Sequence, residues 1–363
     1  MKFTKLAEYL QKLEDTAKRL EITTILAQLI GELSPEEIDK GVYLSLGYLK
    51  AEYENEKFNM AEKMVIKSLE KAFPKTRSIQ QQYNNLGDLG SVVFEIHNLK
   101  SGKEPTVKEV HSKLLKIAKL EGSGSQEAKI NALANLLQNV DKLSAKYIVR
   151  IVLGTTRLGF TEITVIDALS EFLTGDKSLK KRIENNYFIH PDIGLIAKIL
   201  RTKGMGGLKK LSIQPGVPIL AQKAQRLGSL EEIVDKLGSC WAEFKFDGTR
   251  VQLHMDKNKK FKLEVQQKGL FSDIREANYL IKTYTRNLED STHQHPDIVN
   301  AAMSQIKADS VILDGEAIGI DKDSGEFLPF QQIMQRKRKH GVKEMASEIP
   351  LIYFVLDILC KWG

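Results

Sequence analysis

The sequence predicts a multidomain chain, an all-α first half followed by a second half of α/β or α+β type. Its 363 residues exceed the ~100–200 of one domain and suit two folded units. Apolar residues recur at helical spacing, with helix-capping punctuation, as far as about residue 205, and alternating strands are scarce before residue 210. Beyond a Gly- and Pro-rich stretch the pattern turns to short β-type runs bounded by Gly, Asp and charged turns.

Taken in order, Leu6, Leu10, Leu13, Ala17 and Leu20 follow one another at spacings of four and three, which predicts one helix with a single apolar face. Ser34-Pro35-Glu36-Glu37 offers a capping hydroxyl, a Pro at the first helical position and a Glu three residues on, so a second helix should start there. Gly122-Ser123-Gly124-Ser125 precedes the periodic run QEAKINALANLLQNV, and Ser144 precedes AKYIVRIVLG, which stops at Gly154. Residues 1–205 therefore read as a helical domain. Gly204, Gly206, Gly207, Lys209-Lys210 and Pro215-Gly216-Val217-Pro218 mark a linker over 206–218. In the remainder, 219–363, strands are expected at Trp241 to Asp247, Val251 to His254, Ser310 to Asp314 and Ile349 to Leu359. No repeat of fixed period appears, which excludes a solenoid.

Composition narrows the function classes. Hydrophobic residues at 42% and charged residues at 28% describe an ordinary globular chain rather than a disordered or membrane-bundle one. The net charge of +7 and a pI near 9.0 suit a polyanionic partner. Two cysteines, Cys240 and Cys360, cannot build a disulfide framework or a Cys-based zinc site, so a reducing intracellular setting is expected. The first twenty residues mix acids and bases, unlike a secretory leader. The apolar run from Ile349 to Leu359 contains Asp357 and is too short for a ~30 Å hydrocarbon core, so no membrane partner is expected. No G-x-x-x-x-G-K-[ST], G-x-S-x-G or H-E-x-x-H pattern occurs, and His293 and His295 read as loop residues.

The chemistry concentrates in Trp241-Ala-Glu243-Phe-Lys245-Phe-Asp247-Gly248-Thr-Arg250. In a strand, a period of two puts Glu243, Lys245 and Asp247 on one face, with Ala242, Phe244 and Phe246 anchoring the other in the core. Gly248 permits a sharp turn that returns Arg250 to the same site. This layout suits a lysine nucleophile, which attacks only as the free amine and needs burial or neighbouring cations to reach that form. A surface hairpin is the bland alternative. From average composition a bare K-x-D-G arises roughly 0.1 times in such a chain, and adding the Glu and Arg lowers this to on the order of 10⁻⁴.

The stretch resembles the adenylation motif of the ATP-dependent DNA ligases, members of the covalent nucleotidyltransferase superfamily. The resemblance implies an α+β, ATP-grasp-like nucleotidyltransferase core after an all-α DNA-binding domain. It makes Lys245 the residue that becomes lysyl-AMP, with Glu243 reading the adenine amino group. Asp247 and Gly248 order the site, and Arg250 contacts ribose or phosphate. Further stretches follow in the family's order. Thr285-Arg286-Asn287-Leu288-Glu289-Asp290 is similar to the second motif, whose arginine, here Arg286, approaches the ribose and nick phosphates. Leu313-Asp314-Gly315-Glu316-Ala317 is similar to the third, with Glu316 near the ribose and a Mg²⁺ or Mn²⁺ ion. Pro329 to Gln332 and then Gln335-Arg336-Lys337-Arg338-Lys339-His340 resemble a basic helix, which makes Arg336 and Arg338 candidate DNA contacts. Ile352 to Asp357 resembles the strand bearing the adenine-stacking aromatic. The family's Phe position falls on Leu356, and a small shift would give the role to Phe354, the residue favoured here.

The helical half shares the likeness. Arg150 to Phe160 and Glu162 to Leu169 resemble the ligase DNA-binding domain, and Arg150, Arg157, Lys177, Lys180, Lys181 and Arg182 are candidate phosphate contacts. Two departures stand out. Residues 266–284 look like an insertion, and the sequence ends at Trp362-Gly363, short of the family's last nucleotidyltransferase motifs and its oligonucleotide-binding barrel. The expectation is an ATP-dependent ligase or a fragment of one, sealing nicks in duplex DNA as a monomer in replication, repair and recombination. Its location would be cytoplasmic, at the nucleoid, in a prokaryote or nuclear in a eukaryote, and a sliding-clamp partner stays open. A noncatalytic nick-binding module and an mRNA capping-type guanylyltransferase are the alternatives.

Overall fold

The computed structural model describes all residues except 77, 99–103, 223, 260, 263–275, 278, 338–345, 347 and 363. The chain divides into two compact units, Met1–Tyr187 with Pro191–Leu211, and Phe188–His190 with Ser212–Gly363. Among the described residues no helix is long and apolar enough to cross a membrane.

The first unit is helical throughout. It comprises α1 (Phe3–Glu14), α2 (Arg19–Glu32), α3 (Ile38–Leu46), α4 (Glu62–Ala72), α5 (Ile79–Leu86) and α6 (Leu89–Ile96). These are followed by α7 (Val107–Ala118), α8 (Ser125–Gln138), α9 (Lys142–Leu153), α10 (Glu162–Thr174), α11 (Lys180–Ile189) and α12 (Ile193–Leu208). Helices distant in sequence pack as pairs, α2 on α10, α6 on α9, α4 on α8 and α3 on α12. Burying Phe3, Leu6, Leu10 and Leu13 completely explains the periodicity of α1. That periodicity does not mark one long helix, however. The chain breaks between Glu14 and Arg19, and Leu20 is exposed on α2. The cap of α9 also differs from expectation. Asp141, three residues before Ser144, accepts from the amides of Leu143 and Ser144 and from the Ser144 hydroxyl. Gly154 closes α9 in the left-handed conformation that favours glycine.

The second unit is α+β. A helix α13 (Leu230–Leu237) precedes strands β1 (Thr249–Asp256), β2 (Phe261–Lys262), β3 (Glu276–Ala277) and β4 (Leu280–Tyr284). Helix α14 (Pro296–Gln305), β5 (Ser310–Gly319), the short α15 (Phe330–Ile333) and β6 (Leu351–Trp362) follow. Four strands form an antiparallel sheet in the order β4-β1-β5-β6, and β2 pairs with β3 separately. One sheet face carries Val251, Leu253, Met255, Val311, Leu313 and Ala317 against Ile298, Val299 and Ala302 of α14, forming a core cluster. Alternation puts Arg250, Gln252, His254, Asp314, Glu316 and Phe354 on the opposite, polar face.

The strand expected at Trp241 to Asp247 does not form. Among the described residues this stretch pairs with nothing, Trp241 is 96% exposed and Phe244 85%. The sheet supplies no neighbour there. The ladder of β1 with β5 starts at Thr249 opposite Ala317, β5 ends at Gly319, and β4 ends opposite Gln252. The apolar anchoring expected of Ala242 and Phe244 is therefore absent. Of the proposed insertion, β4 and β3 are described, whereas 266–275 and 278 lie outside the described residues.

Candidate active site

The site is built where the chain enters β1. Gly248 turns the backbone onto β5, and a Cβ there would lie 2.5 Å from the Ala317 carbonyl oxygen and 2.9 Å from Glu316 Cγ. Only glycine fits without displacing backbone. The Gly248 amide donates to the Glu316 carboxylate, and Lys245 lies close enough to favour that carboxylate's charge. The first and third motifs thus meet through one glycine. Burial pushes the Glu316 carboxyl above its usual value, against the lowering effects of Arg250, Gly248 and Lys245.

Arg250 stands opposite Glu316 in the β1–β5 register. Its guanidinium reaches along the face to Asp314, Nε donating to Oδ1 at 2.7 Å and Nη2 to Oδ2, a bidentate pair. This pair raises the arginine's own pKa further. Arg250 and Asp314 line a small pocket with Ile219, Ala221, Gln252, Thr285, Arg286 and Leu288. Arg286 is exposed at the tip of a turn in which Leu288, at φ +63°, donates its amide to the Thr285 carbonyl at 2.9 Å. Burying the Leu288 side chain to 5% exposure offsets the roughly 1–2 kcal/mol of a left-handed non-glycine residue.

Phe354 pairs with Glu316 across β5 and β6, so it shares the polar face. Its ring stacks on Phe246 with centroids 4.6 Å apart, and Phe327 meets both rings edge-on. Leu356 falls in a bulge, because the register passes from Gly315–Val355 to Asp314–Asp357. Gly315 is required for the same strand crossing, since a Cβ would meet the Phe354 carbonyl at 2.3 Å. Glu243, Lys245 and Asp247 are exposed in the unpaired stretch beside this face. The structure therefore brings together Lys245, Gly248, Arg250, Glu316 and Phe354, with Arg286 at the adjoining pocket.

Several candidate DNA contacts are placed differently from expectation. Arg150 is 2% exposed, donating to Asp88 at 2.6 and 3.0 Å and to Glu14 at 2.7 and 3.2 Å, so its guanidinium is not offered to a phosphate. Arg336 is likewise 3% exposed, bound to both Asp297 oxygens and to the Ile349 carbonyl, and of the expected basic helix the described residues form the short α15 and one further turn. Arg338 lies outside the described residues. Lys177 and Lys180 both hold the buried carboxylate of Asp167, at 3.0 and 2.7 Å. Lys181 and Arg182 are exposed in the first turn of α11, and Arg157, at φ +57°, donates to the Gly87 carbonyl from an exposed position. Charge alone could not have separated these cases, because the partners of Arg150 lie 62 and 136 residues away.

Comparison with known proteins matches the chain to DNA ligases. A model described as DNA ligase N terminus matches residues 2–170, and one described as ATP dependent DNA ligase domain matches 272–363. Neither spans Lys245, but full-length alignments do. A probable DNA ligase of Dictyoglomus turgidum is 40% identical over 360 residues, 99% of this chain and 58% of its own length. The chain belongs to the ATP-dependent DNA ligases. Other ligase relatives include DNA ligase 2 of Thermofilum pendens, 36% identical over 99% of this chain and 59% of its own, and a DNA ligase of Pyrobaculum calidifontis at 37% over the same shares. The chain thus spans somewhat under three-fifths of the ligases it matches. Sequence reasoning within the ligase motifs did not single out Asp314, Gln252, His254 or Tyr284, which shape the pocket. Polar alternation along β1 signals Gln252 and His254 alone, since Asp314 lies on β5 and Tyr284 on β4.

Proposed function

We propose that this chain carries the nucleotide-activating and DNA-engaging parts of an ATP-dependent DNA ligase that seals nicks in duplex DNA. The observation that carries the reading is the seating of the Lys245–Gly248 turn on Glu316, beside Arg250 and the Arg286 pocket. Lys245 Nζ, as the free amine, attacks the α-phosphorus of ATP, forming a phosphoramide bond as pyrophosphate leaves. The 5′-phosphate at a nick then attacks the same phosphorus and Lys245 departs. Finally the 3′-hydroxyl attacks the activated 5′-phosphate, forming the phosphodiester and releasing AMP. Arg286 is placed to offset phosphate charge, and Phe354 offers its ring to the base once it leaves Phe246. Glu243 lies upstream of Lys245 in the same exposed stretch and is assigned to the adenine edge, and Asp247 to ordering the turn.

Among the described residues no group of three or more His, Cys, Asp or Glu could hold a metal ion. Glu316 is nevertheless a desolvated carboxylate beside the site, and Asp314 is taken by Arg250. One such carboxylate fits a Mg²⁺ or Mn²⁺ ion shared with substrate phosphates, not a dedicated protein cage. Such an ion would neutralise phosphate charge. For DNA, Arg157, Lys181 and Arg182 are exposed cations outside the Asp167 ion pairs, with Lys180 half-buried beside them. The three cations in the first turn of α11 lie where the helix dipole is also positive, so this region attracts phosphates without sequence preference. The partner is nicked duplex DNA, bound by a monomer, and the setting is intracellular.

A 5′-phosphorylated nicked duplex with ATP and Mg²⁺ tests the reading. Sealing should require ATP rather than GTP and vanish in Lys245→Ala, while that variant still binds the duplex. Salt-sensitive binding without sealing would restrict the chain to nick recognition.

A further inference from the structure

We infer that His254 is a positioning residue for the nucleotide pocket, acting through Gln252 and Gly216 to hold the 216–221 segment as the pocket's wall. The inference rests on the nucleotide-binding reading above. His254 is completely buried on the polar face of β1 and cannot touch a ligand. Its two nitrogens have different partners. Nδ1 lies 3.2 Å from the Gly216 amide, which can only donate, so Nδ1 accepts. Nε2 then carries the proton and donates to Gln252 Oε1 at 2.9 Å.

That bond fixes which way the Gln252 carboxamide faces. Oε1 also accepts from the Ile219 amide at 2.7 Å, and Nε2 donates to the Ile219 carbonyl at 3.0 Å. A flipped carboxamide would set its NH₂ against two donors. Gln252 thus pairs with Ile219 as a neighbouring strand would, and Ile219 and Ala221 form the pocket wall facing Arg250 and Asp314. Tyr284 completes the clasp, its hydroxyl donating to the Gly216 carbonyl at 2.6 Å and its ring meeting His254 edge-on at 5.0 Å. Gly216 itself is at φ +94°, a conformation that favours glycine. Every polar atom of this chain of contacts is satisfied, the condition under which a buried network specifies one arrangement. Losing the His254 donor frees Gln252 to turn and the wall to move.

Isosteres separate the two arms. His254→Gln places an amide nitrogen near Nε2 and keeps the donor to Gln252, whereas His254→Asn places an oxygen near Nδ1 and keeps only the Gly216 arm. His254→Leu removes both. Two readouts are taken on each protein, hydrogen exchange at the Gly216 and Ile219 amides, and the ATP concentration that half-saturates AMP attachment. His254→Leu should raise that concentration about tenfold, the equivalent of one buried hydrogen bond, with faster exchange at both amides. His254→Gln should restore the ATP concentration and Ile219 protection, and His254→Asn should protect Gly216 alone. If His254→Leu melts earlier but needs no more ATP and leaves Ile219 exchange unchanged, its role is only structural and the inference fails. If the unaltered protein takes up no AMP, the nucleotide-binding reading fails first and this inference with it.

Discussion

Arg150 in the helical unit and Arg250 in the sheet unit are both arginines that the sequence offers as anion contacts, and the fold treats them oppositely. Arg150 is enclosed between Glu14 and Asp88, with Lys146 and Tyr147 also on Glu14 at 2.8 and 2.6 Å. Even Gly90 makes room for it, since a Cβ there would lie 2.8 Å from Arg150 Cγ. Arg250 has one carboxylate partner, keeps 38% of its side chain exposed and opens on a pocket beside Arg286. An arginine saturated by one buried and one half-buried acid belongs to the architecture. One that is half-open, with a single acid to orient it, is free to meet a substrate.

The largest expected effect breaks the first member of the pair. Arg150→Ala leaves the buried Asp88 without its cation and Glu14 with Lys146 alone, and should cost about 3 kcal/mol in urea unfolding of the helical unit. Arg250→Ala should cost about 1 kcal/mol or less, because its pair is partly solvated, yet lower the rate of AMP attachment at least tenfold. Equal stability losses would erase the distinction.

Acid should separate the two units next. Burial and Lys282 push His254 down to about 3 from 6.5, so between those values the unfolded state binds the extra proton and stability falls with falling pH. Burial works against Glu14, but hydrogen bonds from Arg150, Lys146 and Tyr147 bring it to about 2, so its contribution is complete above its unfolded value near 4.5 and lost below. Burial lowers His111 of the helical unit as well, but less than His254, so the sheet unit should unfold at higher pH than the helical one. Of the two tryptophans, both in the sheet unit, Trp241 is already exposed and Trp362 lies in β6, so Trp362 fluorescence should change before the helical circular dichroism does. Coincident acid transitions would contradict this order.

Smaller effects sharpen the comparison. Burial raises the Glu316 carboxyl above its ordinary value, so AMP attachment should rise with pH as it ionises, and Glu316→Gln should lower the rate about tenfold and remove that limb of the profile. Arg157→Ala should weaken nicked-duplex binding modestly and reduce the salt slope by about 1, as expected for one phosphate contact. A normal slope would place Arg157 with Arg150 among the structural arginines.

How much of this was legible follows from what each signal encodes. Periodicity reports burial within an element, so the helical unit was readable, although the spacing ran on past α1 to Ala17 and Leu20, which are exposed and so follow the period without packing. Alternation reports two faces but not a partner, which is why Trp241 to Asp247 looked like a strand that the sheet could not pair. The Lys245, Gly248 and Glu316 grouping was readable because its residues sit in two short motifs. The enclosure of Arg150 and Arg336, and the Gln252–His254–Tyr284 clasp on residues 216–219, depend on contacts between distant segments that neither composition nor spacing records.

The chemistry is assigned to Lys245, in the unpaired stretch beside the sheet's polar face. Intact mass of the chain after incubation with ATP and Mg²⁺, followed by peptide mapping, tests it most directly. One added AMP is expected on the peptide containing Lys245, absent with GTP and absent in Lys245→Ala. An adduct that persists in that variant, or that maps to another residue, would contradict it.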